Sequence, residues 1–187
     1  HTMRSPAGKE IAQRERGVLL VLHQMGSHGP AYFKRSPPEL KPFQPECTTP
    51  ALAQCVGDSL VNAYDNSIAY TDRMLAALIV WLQQRSAGYD ASMLYISDHG
   101  ESLGENNLYL HGLPYAFAPR EQTHVPWIGW MSAGAQASLG LNWKCLRDRR
   151  TVPLTHDHLF HTALGALQID ATEYRRELDA YAPCRAR

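Results

Sequence analysis

The chain has 187 residues, an apolar fraction of 44%, and 18 basic against 18 acidic side chains with nine histidines, so its formal net charge is zero. That length and composition suit one domain with its own core, and the balanced charge excludes an overall field built for nucleic acid. No apolar run reaches bilayer-spanning length and the N-terminus lacks the basic start and apolar middle of a signal peptide, so this segment is expected to be soluble.

Residues 1–16 are a polar lead-in, of which His1-Thr2-Met3 looks like a cloning remnant. Gly17 then opens an apolar run over 18–22. Because the run does not alternate, it predicts a strand buried on both faces, as in a parallel sheet. The loop behind it, His23-Gln24-Met25-Gly26-Ser27-His28-Gly29-Pro30, sets two histidines beside glycines. Residues 30–57 carry Pro37, Pro38, Pro42, Pro45 and Pro50, which predict an ordered excursion with little regular structure. Inside it Cys47 and Cys55 enclose a short polar loop suited to a local disulfide, stabilising by about 2.5 kcal/mol in the chain-entropy model. Cys145 and Cys184 then pair by elimination. Two disulfides imply an oxidising compartment, and the alternative is four free thiols in a reducing one. A zinc ribbon is disfavoured because no CxxC pair occurs.

A long helix is predicted from Asp58 or Ser59 to Arg85, with Val61, Tyr64, Ile68, Thr71, Leu75, Leu78 and Leu82 as its buried stripe. Asn62, Asp65, Asn66 and Asp72 fall on its other faces as solvated positions. Gly88 leads to a strand over 93–96, which would complete a right-handed parallel strand-helix-strand unit. A third strand is predicted over 125–131, with Pro126 at its start or on an edge. The run Lys144-Cys145-Leu146-Arg147-Asp148-Arg149-Arg150 reads first as a solvated loop and second as a phosphate-attracting or membrane-surface patch. Helices are expected over 155–167 and, shorter, over 171–181. Three strands are few for a doubly wound sheet of this length, so further strands are expected upstream, and an exposed sheet edge could drive dimerisation.

Ser97-Asp98-His99-Gly100-Glu101, directly after the strand over 93–96, carries the strongest chemical signal. Adjacent side chains on a strand point to opposite faces, so Asp98 and His99 can share one ion only where the strand ends and Gly100 lets the backbone turn. A carboxylate beside an imidazole suits zinc. The plain alternative is a polar loop capping a strand. Leu110-His111-Gly112-Leu113-Pro114 is a further histidine–glycine loop. Open α/β sheets bind ligands beyond the carboxyl ends of their strands, where the His28 loop and the Asp98-His99 loop would converge. Glu101 would orient His99 through a hydrogen bond, or cap the turn. His23 is as well suited to the cleft wall as to a site, while His124, Glu121, His158 and His161 fit structural roles.

With these segments in order, the chain resembles the C-terminal part of the catalytic domain of the lipid A phosphoethanolamine transferases, the colistin-resistance branch of the sulfatase and alkaline phosphatase superfamily. The resemblance runs from about Val18 to Ser132. It rests on the His23-to-Pro30 loop, Val61-Asn62-Ala63-Tyr64-Asp65-Asn66, the block from Ser97 to Asn106, Tyr109-Leu110-His111-Gly112-Leu113-Pro114-Tyr115-Ala116, and Glu121-Gln122-Thr123-His124-Val125-Pro126. Thr155-His156-Asp157-His158-Leu159-Phe160-His161 matches more loosely.

The resemblance implies an α/β fold, a parallel-sheet α/β/α sandwich of the alkaline phosphatase/sulfatase type, incomplete at its N-terminal side. The whole of 1–187 would be the C-terminal portion of one catalytic domain, with a core over 17–170 and a tail over 171–187. It implies zinc as cofactor, with Asp98 and His99 as ligands, and it turns His28 and His111, which alone read as surface or core histidines, into groups that face the phosphoryl group in catalysis or hold a second zinc; Glu101 joins the catalytic set from the reading of the residues themselves. It implies transfer of phosphoethanolamine from phosphatidylethanolamine to a lipid A phosphate at the periplasmic face of the bacterial inner membrane. The family's short disulfide fits Cys47 and Cys55, whereas Cys145 and Cys184 have no such counterpart. The family also sets a glutamate ligand and a threonine nucleophile far upstream, beyond transmembrane helices, so this chain is expected to supply part of an active site and to be inactive alone. The competing readings are another phosphodiesterase or hydrolase of the superfamily, and a non-catalytic fragment that only binds zinc or phosphate.

Overall fold

The computed structural model describes residues 17–186; the lead-in over 1–16 lies outside the described residues. Helix α1, Ser59–Gln83, is the longest element. It is followed by β1 (Ser92–Ile96), a short hairpin of β2 (Ser102–Leu103) and β3 (Tyr109–Leu110), and the single-turn α2 (Arg120–Thr123). Then come β4 (Trp127–Met131), α3 (Ala133–Ser138), α4 (Trp143–Asp148) and α5 (Asp157–Ala166). Among the described residues no helix is long and apolar enough to cross a membrane.

The expected strands over 93–96 and 125–131 form and pair with each other, but antiparallel, in a register that runs from Ser92 opposite Met131 to Ile96 opposite Trp127. The parallel strand-helix-strand unit is not formed. Residues 18–22 enter no ladder among the described residues, and their side chains are exposed, from 42% at Val18 to 78% at Val21. An apolar run reports only that a segment can be buried on both faces; a ladder needs a partner backbone, and none of the described residues supplies one.

Helix α1 buries Thr71 and Leu75 of the predicted stripe and half-buries Tyr64, Leu78 and Leu82, but in its first turns the buried face is displaced from that stripe. Leu60, Ala63, Ser67, Thr71 and Leu75 are buried, while Val61 and Ile68 stay 41% and 45% exposed. The cause is Asn66, fully buried rather than solvated. Its side-chain oxygen accepts from the Phe43 N–H at 2.9 Å and its Nδ2 donates to the Phe43 carbonyl at 3.0 Å, clamping the Pro-rich segment against the helix. That segment contains only short 3-10 turns, at Tyr32–Lys34, Pro38–Leu40 and Leu52–Gln54, and is cross-linked by a Cys47–Cys55 disulfide with Cα atoms 5.6 Å apart. Tyr32, Cys47, Leu52, Leu60 and Ala63 form one core cluster, against which Leu103, Tyr109 and Leu110 of the hairpin pack.

A second cluster of Met131, Ala135, Leu141 and Tyr181 joins β4, α3 and the tail, with Trp143 and Leu146 of α4 against it. In place of the helix expected over 171–181 the tail makes single 3-10 turns at Arg176–Leu178 and Ala182–Cys184. Bonds to α5 and within the tail hold it in an irregular path. Thr162 Oγ1 accepts from Ala180 N at 2.9 Å and His161 Nδ1 accepts from Arg175 N at 3.1 Å, while inside the tail buried Asp179 pairs with Arg185 at 3.2 Å. A second disulfide, Cys145–Cys184, anchors the tail to α4. Polar groups satisfied by partners on other elements outweigh the local gain of a helix in so short a segment.

Candidate metal centre

Three imidazoles converge: each of His28, His99 and His111 offers a nitrogen that lies within 4.8 Å of those of the other two. His28 comes from the loop behind residues 18–22, His99 from the end of β1, and His111 from the residue after β3. The His99 and His111 rings stack with centroids 3.6 Å apart, and His28 stands edge-on to them at 5.8 and 5.1 Å.

Glycines make this approach possible. Gly100 N donates to the Gln122 carbonyl at 2.9 Å, and a Cβ at Gly100 would fall 2.0 Å from the Glu121 carbonyl oxygen. Gly29 is equally confined, because a Cβ there would meet Leu110 Cδ2 at 2.4 Å and the Tyr32 hydroxyl at 2.7 Å. These two close packings, rather than an unusual φ, set the direction of His28 and His99.

Each imidazole is oriented through Nδ1. His28 Nδ1 bonds the Gly29 carbonyl at 2.7 Å and His99 Nδ1 the Gly100 carbonyl at 3.0 Å. A carbonyl only accepts, so the proton sits on Nδ1 and Nε2 is left with its lone pair. His111 Nδ1 faces Glu101 Oε1 at 3.2 Å. A carboxylate or carbonyl behind a ring nitrogen is the support that metal-bound histidines use, and three imidazoles are a donor set that zinc accepts. The residues present therefore fit the ion.

Glu101 is 6% exposed, and the same Oε1 accepts the Gly29 N–H at 3.0 Å. The hairpin register, Ser102 opposite Leu110, puts Glu101 opposite His111 as the next pair outward. Hence Glu101 orients His111, and not its near neighbour His99. Among the described residues Glu101 Oε2 is buried without a hydrogen-bond partner. Burial, and then the charge of Glu101, push the nearby Tyr32 hydroxyl far up, so it remains protonated.

Asp98 is not in the imidazole group. Its Oδ1 lies 3.9 Å from His99 Nε2 and its side chain is 83% exposed, which leaves it at the rim. His23 is exposed and apart from the group, and His161 is buried as the acceptor of Arg175 N, consistent with packing. The structure adds His156, whose Nε2 donates to the Ser97 carbonyl at 2.9 Å and so braces the loop that carries Asp98 and His99 from 59 residues away. No local signal marks that contact. Asp98, His99 and His111 open on a cavity of about 1360 Å³ whose lining also includes Arg147, Arg149, Arg150 and His156.

This chain, with its mixed α/β architecture and imidazole cluster, belongs to the sulfatase family, whose model matches residues 2–169. Among named relatives, phosphoethanolamine transferase EptA of Salmonella typhimurium is 42% identical over 168 residues, 89% of this chain and 31% of that protein. Phosphatidylethanolamine transferase Mcr-1 of Escherichia coli is 56% identical over 119 residues, 64% of this chain and 22% of that protein. The crystal structure of the soluble domain of lipooligosaccharide phosphoethanolamine transferase A from Neisseria meningitidis superposes with a TM-score of 0.91 at 37% identity, covering 97% of this chain and 55% of that one. The C-terminal periplasmic domain of EptC from Campylobacter jejuni gives a TM-score of 0.84 at 39% identity, covering 97% and 57%. The chain thus spans less than a third of those two curated relatives, and just over half of each of the two solved domains.

Proposed function

We propose that this chain is the zinc- and phosphate-binding part of a phosphoethanolamine transferase that acts on phosphatidylethanolamine as donor and a lipid A phosphate as acceptor, at the periplasmic face of the bacterial inner membrane. The observation that carries the reading is the convergence of His28, His99 and His111, each held through Nδ1. The likeness to EptA and Mcr-1 supports the choice of substrates, and the two disulfides support an oxidising compartment.

The three imidazoles would hold zinc, with the Asp98 carboxylate at the rim as a further ligand. Bound there, zinc would supply Lewis-acid stabilisation of the charge that phosphoryl transfer places on nonbridging oxygens. His28 and His111 would act on those oxygens through the ion that they hold, since their Nδ1 edges are engaged by the Gly29 carbonyl and by Glu101. Glu101 is a positioning residue: it holds the Nδ1 edge of His111 and the Gly29 N–H with one oxygen, fixing both histidine loops. The hydroxyls near the centre are engaged elsewhere. Ser27 Oγ accepts from Ser67, Ser97 Oγ donates to the His99 carbonyl, and Ser102 Oγ accepts from Gln122. The reading therefore assigns this chain no nucleophile and expects no turnover from it alone.

The test measures zinc in the purified chain and in Asp98→Ala, His99→Ala and His111→Ala, alongside transfer from labelled phosphatidylethanolamine to lipid A by the full-length protein. Expected are stoichiometric zinc that falls in all three variants and a lipid A product heavier by one phosphoethanolamine. Zinc content unchanged by the histidine substitutions, or no such product, would overturn the reading.

A further inference from the structure

Three arginines that line the cavity have no carboxylate partner among the described residues. Arg147 lies in α4, and Arg149 and Arg150 follow it directly; all three are exposed and line the same space as His99 and His111. The one carboxylate on their own helix, Asp148, is taken by Lys144 at 2.7 Å. Buried Asp179 is taken by Arg185. Asp98 and Glu177 also line the cavity, yet among the described residues no carboxylate lies within ion-pair distance of any of the three guanidinium groups. Among the described residues their one side-chain hydrogen bond is Arg150 Nη1 donating to the Arg147 carbonyl at 3.3 Å.

The wall is nevertheless built, not loose. Asn142 caps α4 by accepting from Cys145 N at 3.0 Å, Cys145 is cross-linked to Cys184, and Trp143 and Leu146 pack against the core of Met131 and Tyr181. Three like charges close together in sequence on one cavity lining repel one another, which a bound anion relieves. Guanidinium forks match carboxylate and phosphate oxygens in pairs, and beside a centre proposed for phosphoryl transfer phosphate is the anion to expect. Beside the arginines the cavity is apolar, lined by Val152, Leu154 and Tyr115, which are 42%, 38% and 83% exposed. Phosphate-binding charge adjoining exposed apolar surface describes a phosphorylated amphiphile.

We infer that Arg147, Arg149 and Arg150 form the acceptor subsite, taking the phosphate of a phosphorylated glycolipid while the imidazole centre that lines the same cavity takes the donor's phosphoryl group. The assignment rests on the transferase reading above, but its test is binding alone. Phosphatidylcholine vesicles doped with lipid A are compared with vesicles whose equal surface charge comes from phosphatidylglycerol, and partition of the chain is followed by co-sedimentation. Partition should favour lipid A, and the variant carrying Arg147→Ala, Arg149→Ala and Arg150→Ala should lose roughly tenfold in affinity for it, the scale of losing charge-assisted hydrogen bonds. The variant with lysine at the three positions keeps the charge without the planar fork and should bind between the two, which covers the case of an alanine variant that fails to fold. Equal partition of wild type and both variants overturns the inference. Equal affinity for phosphatidylglycerol also overturns it and makes the wall a general membrane contact. A chain that holds zinc at its histidines but ignores lipid A loses only the subsite; one that binds lipid A but no zinc loses only the metal reading.

Discussion

Glu101 Oε1 lies 3.2 Å from His111 Nδ1 while the same oxygen accepts the Gly29 N–H at 3.0 Å. One buried carboxylate thus ties the hairpin that carries His111 to the loop that carries His28, two segments 72 positions apart at the Gly29 bond.

Replacing Glu101 should therefore disturb metal affinity without emptying the centre. Glu101→Ala is expected to weaken zinc binding by about 10- to 100-fold, the usual scale for losing a group that orients a ligating imidazole. Glu101→Gln, which can still accept at one oxygen, should recover part of that. Competition with a chelator reads the affinity, and denaturant melts check that the fold persists. Identical affinity in all three proteins would show that the contact does not orient the ring.

Gly100 tests the packing behind His99. A Cβ at this position falls 2.0 Å from the Glu121 carbonyl oxygen, and backbone cannot move aside as a flexible side chain can. Gly100→Ala should cost about 2 kcal/mol or more in urea unfolding and displace His99, lowering zinc content with it. At Gly17, where nothing lies within 4 Å of an added Cβ, the same substitution should be silent in both measurements. Equal stability of Gly100→Ala and wild type would refute the close approach.

Tyr181 sets an alkaline limit on stability. Burial, and then the charge of Asp179, push its hydroxyl up to about 12 from the ordinary 10. Between those values the folded chain keeps a proton that the unfolded chain releases, so stability is full below pH 10 and falls as pH rises toward 12. Two pKa units correspond to about 2 to 3 kcal/mol. Unfolding measured from pH 9 to 12 should show that decline, and Tyr181→Phe should flatten it. A decline of the same size in Tyr181→Phe would place its origin elsewhere.

Local pattern carried much of this protein. Periodicity marked α1 to within two residues of its end, and β1, β4 and α5 lie inside the runs expected over 93–96, 125–131 and 155–167, apart from an extra Ser92. Glycine-flanked loops drew attention to His28, His99 and His111, which the structure brings together, although for His28 and His111 it was the family resemblance that favoured a site role, and Cys47 and Cys55 were close enough in sequence to suggest their bridge. Such features are legible because residues within a few positions of one another determine both the conformation and the signal.

What tertiary structure alone decided is which distant segments meet. The antiparallel pairing of β1 with β4, the turn of α1 that buries Asn66 and exposes Val61 and Ile68, and the partnership of Glu101 with His111 instead of His99 all depend on contacts across many positions. So does the bond from His156 to the Ser97 carbonyl, and the placing of three arginines of a charged run on the wall of the histidine cavity. Residue types state what a segment can do; hydrogen-bond register, steric approach and shared burial select which of those capacities is used, and no single segment encodes them.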